Sequence, residues 1–351
     1  MMTTKNALIL DLSYEELVKE IDLLGEPSYR AQQIWVAIYQ TFRTSFDEIT
    51  TLPKIFREKL GANLDFQAIT PVRAIESADK QTIKTLFELN DGNLIEAVLM
   101  YYDDRRTLCI SSQSGCGIGC TFCATGQMGF HHNLSSGEII AQVLYYARLL
   151  SESEDKVTNI VMMGMGEPFQ NYDAVMTALT RLNDPNAFGL GARRFTISTV
   201  GLVPKIKQFA DENSQYNLAI SLHTVDNDLR SSMIPINKKY SVDTLIDACR
   251  YYVNRTSRRI TFEYALIEGV NDSLKDAATL ANKIKGMICH VNLIPLNPTS
   301  GFDKSPTSIN QAEAFRQVLE AHHIPCTIRL RRGIEIQAGC GQLAAQEGQK
   351  P

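Results

Sequence analysis

The chain has 351 residues, 44% hydrophobic and 21% charged, with a formal net charge of −4, the balance of an ordinary globular protein long enough for one large domain and a smaller one. It holds no uninterrupted run of about 18 apolar residues that could span a bilayer, and Met1 to Asp11 lack the basic start and long apolar core of a secretory leader. Eight cysteines without a leader point to metal or redox chemistry in a reducing compartment, so the cytoplasm is expected. The charge neither points to a nucleic-acid partner nor rules out one bound by a local basic face. Basic groups occur at Arg193-Arg194, Lys238-Lys239, Arg255 with Arg258-Arg259, and Arg329 with Arg331-Arg332. Taken singly, each reads as a solvated surface pair.

From about Tyr14 to Leu60 the chain reads as helices. Ile34, Trp35, Ile38 and Tyr39 recur at helical spacing after Pro27-Ser28-Tyr29-Arg30. Ser45 and Asp47 offer a cap, and Pro53 opens a further short helix. The period then changes. Thr82 to Leu89 and Leu94 to Tyr102 are strands joined by the hairpin turn Asn90-Asp91-Gly92-Asn93.

Beyond them, seven short β-rich runs alternate with helical stretches such as Ser136 to Leu150 and Thr244 to Val253. The runs are Thr107 to Ser111, Asn159 to Met163, Arg194 to Thr199, Asn217 to Leu222, Arg259 to Ala265, His290 to Pro295 and Cys326 to Leu330. Most are nearly continuous in apolar residues, as parallel strands buried on both faces require. Repeated strand–helix units give an α/β fold, a parallel barrel or an open sheet. No Gly-x-Gly-x-x-Gly follows the first strand, which argues against a dinucleotide-binding domain. The residues from Gln346 form a short polar tail, expected to be frayed.

In a parallel barrel, chemistry gathers at the carboxyl ends of the strands. There, after Thr107 to Ser111, stands Ser114-Gly115-Cys116-Gly117-Ile118-Gly119-Cys120-Thr121-Phe122-Cys123. Cys-x3-Cys-x2-Cys puts three thiolates on one glycine-rich loop. A four-iron, four-sulfur cluster normally takes four cysteines, so three leave one iron open to a small molecule. A zinc knuckle favours paired Cys-x2-Cys and a fourth ligand close by, for which His131 and His132 are the near histidines. Unrelated core cysteines are the remaining alternative, and they would not cluster within eight residues among glycines. The next strand end, Met163-Gly164-Met165-Gly166-Glu167-Pro168, lets the backbone approach a ligand and presents an exposed carboxylate to an ammonium group. It is also compatible with a plain turn. Ser198, Ser221-Leu222-His223 and Asn297 supply hydroxyl, imidazole and amide groups at further strand ends. Cys109 reads by itself as a buried strand residue. Cys340, between glycines in Ala338-Gly339-Cys340-Gly341-Gln342-Leu343, is open to either an incidental or an accessible reactive role.

Together these segments resemble the RlmN/Cfr family of radical S-adenosylmethionine (SAM) RNA methyltransferases over essentially the whole chain. The resemblance is carried by Cys109-Ile110-Ser111-Ser112-Gln113, the cysteine loop, Met163 to Pro168, Ile197-Ser198-Thr199, Ser221-Leu222-His223, Pro235 to Tyr240, Gly269-Val270-Asn271-Asp272, Asn292 to Pro295, and Gly339 to Leu343. The pair Cys109 and Cys340 sets this family apart from other radical SAM enzymes. The resemblance implies a partial (β/α)6 radical SAM barrel with a small helical N-terminal accessory domain. Residues 1–90 would form the accessory part and the start of the hairpin, touching RNA. Residues 91–336 would form the core, and 337–351 a loop carrying the methyl-carrier cysteine.

It further implies one [4Fe-4S] cluster on Cys116, Cys120 and Cys123, and SAM contacts from Gly166, Glu167, Ser198, Ser221, Leu222, His223 and Asn297. Two SAM molecules would be used per turnover, as methyl donor and radical source. Cys340 would become S-methylcysteine, Glu96 would accept the ring proton, and Cys109 would resolve the adduct through a transient disulfide with Cys340. Glu96 also stands out in the strand Leu94 to Met100, where either face is apolar and a carboxylate is costly without a partner or a cavity. The product would be an adenosine of 23S rRNA methylated at carbon 2. Pro168 after Glu167 fits that subgroup, whereas the carbon-8 resistance subgroup resembles a variant with Ala there. The tRNA adenosine 3′ of the anticodon is the second expected substrate. An external donor such as flavodoxin or ferredoxin, no membrane, and a monomer complete the expectation. An iron–sulfur electron carrier is the alternative of another class; it would need neither a SAM pocket nor Cys340.

Overall fold

The computed structural model describes residues 6–329 and 332–344. Met1 to Lys5, Leu330, Arg331 and the residues from Ala345 onward, including the tail from Gln346, lie outside the described residues.

Three helices open the fold, Tyr14–Leu23, Tyr29–Tyr39 and Lys54–Asn63. The first starts on a reciprocal cap between Ser13 and Glu16, which satisfies two otherwise orphaned amides. Ile34, Trp35, Ile38 and Tyr39 all face the core, as their spacing requires. Ser45, by contrast, makes no side-chain cap; the local amide is taken instead by Glu48, which accepts from Thr44 N and Oγ1. Pro53 sits one residue before its helix. The helical part is bolted to the rest by Arg181, whose guanidinium donates to the Leu10 and Leu12 carbonyls and lies over the Trp35 ring.

A ten-stranded sheet forms the body. Its strands are β1 (Ile69–Glu76), β2 (Thr82–Leu89), β3 (Leu94–Tyr102), β4 (Arg105–Cys109), β5 (Asn159–Met162), β6 (Phe195–Thr199), β7 (Asn217–Ser221), β8 (Ile260–Leu266), β9 (Cys289–Pro295) and β10 (Cys326–Ile328). They lie in sequence order across the sheet. From β4 to β10 every neighbour is parallel, and from β1 to β4 every neighbour is antiparallel. The parallel run is the partial barrel expected from the sequence, with intervening helices such as Ser136–Ser151 and Val242–Thr256 covering it. Position 90 falls in the turn between β2 and β3, both members of the same sheet.

β1 was not expected from the sequence pattern. It is mostly exposed, and Pro71 stands beside a bulge, both normal for an edge strand and both outside an apolar pattern. β4 ends two residues earlier than its apolar run, so Cys109 closes the strand. The reason is the buried Gln142 side chain, which bonds both N and O of Ser111 and draws the chain off the ladder.

Candidate active site

One cavity opens at the carboxyl ends of the parallel strands. Cys116, Cys120 and Cys123 line it, as do Gly166, Glu167, Ser198, Ser221, His223, Asn297 and Cys340. Residues spread over more than 220 positions of sequence thus meet at one cavity because they stand at or beyond the carboxyl ends of the barrel strands.

The cysteine loop is shaped by glycine. Gly115 has φ +69°, and a Cβ there would lie 2.0 Å from the Gly129 carbonyl oxygen. A Cβ on Gly126 would meet the Cys120 backbone at 2.9 Å. Burial pushes the Cys116 thiol up to about 12 and the Cys120 thiol well above its usual value, and the charges of neighbouring cysteines add to both. Cys123 is raised by burial as well. Three sulfurs that disfavour one another's ionisation without a cation form a donor set that a multi-iron cluster would relieve. Among the described residues no three His, Cys, Asp or Glu side chains converge on a single-ion site.

Gly166 has φ +99°, and a Cβ there would lie 2.6 Å from Gln113 Cβ, so only glycine lets the backbone approach this closely. Glu167 differs from expectation: it is 2% exposed, not open to solvent. Its oxygens accept from Phe169 N at 2.9 Å and Val200 N at 2.9 Å, tying β5 to β6, and burial raises it to about 7. His223 adopts a left-handed backbone (φ 61°). Its Nδ1 accepts from Ala265 N at 3.0 Å, which leaves the proton on Nε2, and burial lowers it to about 3. It is a neutral donor. Leu222 is the exception among the expected SAM contacts. With Ser221 and His223 facing the cavity, strand alternation turns it into the core, and its amide and carbonyl are taken by Glu263 O and Arg230.

Cys340 is exposed on its loop. Asn297 Nδ2 donates to its carbonyl at 3.1 Å, Ala124 N to that of Gly341 at 2.8 Å, and Thr125 Oγ1 to that of Leu343 at 2.7 Å. The loop bearing Cys340 therefore sits directly on the residues that follow Cys123. Cys109 lies behind this wall, its thiol pushed up to about 12 by burial and further by Cys340; both are free thiols. Glu96 is buried on β3 and pairs with Lys84.

Two cavity-side residues, Glu263 and Arg329, and a third behind them, Arg230, escaped the sequence reading. Glu263 on β8 is buried, bonded by Asn292 through one oxygen, with Arg329 3.8 Å from the other. It was legible as an acid inside an apolar strand. Arg329 had been read as part of a surface pair; the end of β10, held by Arg329 N to Leu293 O, feeds it into the cavity wall instead. Arg230 is buried and carries no pattern that marks it.

Residues 110–281 match the model of the radical SAM superfamily, and residues 8–65 that of the ribosomal RNA large subunit methyltransferase N-terminal domain. The "Probable dual-specificity RNA methyltransferase RlmN" of Geobacillus kaustophilus is 46% identical over 97% of this chain and 93% of its own. The protein of the same description from Staphylococcus aureus strain JH9 is 45% identical with the same coverage. The chain belongs to the RlmN family.

A crystal structure of a radical SAM methyltransferase from Sphaerobacter thermophilus superposes with a TM-score of 0.95 at 49% identity, covering 97% of this chain and 100% of that one. As an RlmN-family member the chain is a SAM-dependent radical RNA methyltransferase, with an iron–sulfur cluster and SAM as cofactors. The three cavity-lining cysteines fit the cluster. The cavity glycines and the polar strand ends beside them fit SAM.

Proposed function

We propose that this enzyme methylates carbon 2 of an adenosine in 23S rRNA, and of the tRNA adenosine 3′ of the anticodon, with Cys340 as the methyl carrier. The observation that carries the reading is the position of Cys340. It is an exposed thiol on the wall of the cavity that holds the three cluster cysteines. An electron carrier has no need of such a thiol.

When bound, one [4Fe-4S] cluster and two SAM molecules per turnover would supply the methyl group and the radical that activates it. Cys116, Cys120 and Cys123 would hold the cluster. Gly166, Glu167, Ser198, Ser221, His223 and Asn297 would hold SAM, with Glu167 also fixing β5 to β6. Cys340 takes the methyl group on its sulfur and presents it to the adenine ring. A ring carbon between two nitrogens is electrophilic, so ordinary polar methyl transfer to it fails and a carbon radical is needed. Glu96 then takes the ring proton. The electron given up with that proton would return to the cluster. The Cys109 thiolate attacks the Cys340 sulfur, and the S–S bond forms as the bond from that sulfur to the RNA-borne carbon breaks. The released carbon takes a proton to become the methyl group, and an external donor reduces the disulfide for the next turnover.

Pro168 supports carbon 2, the ribosomal RNA methyltransferase domain over residues 8–65 supports an rRNA target, and the dual specificity in the relatives' names supports a second RNA substrate. The target base would be flipped out of its stack to reach the cavity, with residues 8–65 gripping the RNA fold. The same reading has the chain working as a cytoplasmic monomer reduced by an external donor such as flavodoxin or ferredoxin. The test is mass spectrometry of rRNA and tRNA nucleosides from a host lacking its own enzyme and complemented with this gene. 2-Methyladenosine in both is expected. 8-Methyladenosine would overturn the position, and its restriction to rRNA the second substrate.

A further inference from the structure

Lys84 and Glu96 stand on adjacent antiparallel strands. Lys84 lies opposite Val98, and Glu96 opposite Leu86, so the two are diagonal neighbours on one face, within reach of a long side chain. Both side chains are withdrawn from water, at 7% and 6% exposure, with Nζ 2.8 Å from Oε1. A buried lysine and a buried glutamate are each costly alone, and a pair of them is tolerated only when the remaining donors and acceptors are also used.

Here each partner also bonds the carrier segment. Lys84 Nζ donates to the Gln337 carbonyl at 3.4 Å, three residues before Cys340. Ala344 N donates to Glu96 Oε2 at 2.9 Å, four residues after it. Gln337 is held at φ +54°, a conformation that disfavours a side chain and persists where surrounding bonds fix it. Nearby, Arg332 Nη1 donates to the Tyr101 carbonyl of β3 at 3.0 Å, and Gly333 packs against Thr82 of β2 closely enough to leave no room for a Cβ. The segment around Cys340 is thus seated on the β2–β3 hairpin, with one ion pair gripping both of its feet.

We propose that Lys84 is a positioning residue of the methyl transfer: its bonds to Glu96 and to the Gln337 carbonyl fix the proton acceptor and the Cys340 loop to each other, so that both address the same adenine. This rests on the reading of Glu96 as that acceptor. Methyl loading of Cys340 does not use Glu96 and should not need Lys84. Proton removal from the RNA adduct needs both.

The experiment uses the iron-loaded full chain carrying Lys84→Met, Lys84→Arg or Glu96→Gln, with rRNA fragment and SAM. Three quantities are read: S-methylation of Cys340, nuclease-sensitive mass on the protein, and hydrogen exchange across residues 337–344. Lys84→Met should keep S-methylcysteine, exchange the Ala344 amide about tenfold faster, as loss of one charged bond allows, and accumulate RNA–protein adduct. Lys84→Arg, which retains charge and reach, should release most of that adduct. A purely structural lysine would change exchange without changing where the reaction stalls. If Lys84→Met fails to load iron, Lys84→Gln replaces it with the same expectations. Adduct with Glu96→Gln but none with the uncharged Lys84 variants overturns this proposal alone. No adduct with Glu96→Gln overturns the acceptor reading itself. Lys84→Arg no better than the uncharged variants would also reject the proposal.

Discussion

Cys340 and Cys109 carry the same side chain in opposite surroundings. One is exposed on a loop between glycines, and the other closes β4 with burial pushing its thiol up to about 12. Only a thiolate is a competent nucleophile, so the burial and the nearby Cys340 charge that raise Cys109 hold back its attack until Cys340 has been methylated. That order suits a resolving thiol, which must not react before the methyl group has moved. Cys340→Ala should retain iron and form neither methylated protein nor methylated RNA. Cys109→Ala should load the methyl group and add to adenine, then stall with RNA attached through Cys340. Mass spectrometry before and after nuclease treatment separates the two. Normal turnover by Cys109→Ala would return Cys109 to the role of a core cysteine. The cysteines at 249 and 289 are buried in the main core, and the proposed mechanism gives them no part.

At the scale of elements, the strand ends matter more than the strands. Arg230, in the helix Asn227–Met233, donates to the carbonyls of Val200, Ser221 and Leu222 and to Asn237 Oδ1 at 2.6 to 3.1 Å. It stitches together the carboxyl ends of β6 and β7, where Ser198, Ser221 and His223 stand. Burial lowers it only to about 10, so it stays charged at neutral pH. Arg230→Met would leave buried acceptors unpaired and should cost about 2–4 kcal/mol, read by urea unfolding of the cluster-free chain. A loss under about 0.5 kcal/mol, the size of an ordinary surface change, would mean that water replaces the guanidinium. The parallel strands were legible because each is an apolar run buried on both faces, and β2 and β3 because a hairpin turn joins them. β1 was not, since its exposed residues follow no apolar pattern. Nor was the exact end of β4, which depends on Gln142, thirty-one residues away from Ser111.

Across the whole molecule, the cysteine loop and the carboxyl-terminal segment behave as one layer laid over the barrel mouth. Cys116, Cys120 and Cys123 were legible from spacing alone, and Glu96 from an acid out of place in an apolar strand. The bonds that join distant pieces were not. Lys84 has no partner nearby in sequence, and Arg329 looks like any surface cation until β10 carries it inward. The Ala124 to Gly341 and Thr125 to Leu343 bonds, with Gln342 Nε2 on the Pro298 carbonyl, put the carrier loop in direct contact with residues that follow Cys123. Metal binding contributes folding free energy where the ligands are otherwise unconstrained. Stripping iron anaerobically with a chelator should therefore raise hydrogen exchange in residues 116–126 and 339–344 together. The strands β7 and β8, whose amides are held by the ladder and the core, should keep their protection. Cys120→Ala should reproduce the pattern without any chelator. Loosening of the cysteine loop alone would show that the carrier loop is anchored by the hairpin and Asn297, independently of the cluster. A loss spread evenly over the sheet would show that the cluster supports the barrel as a whole.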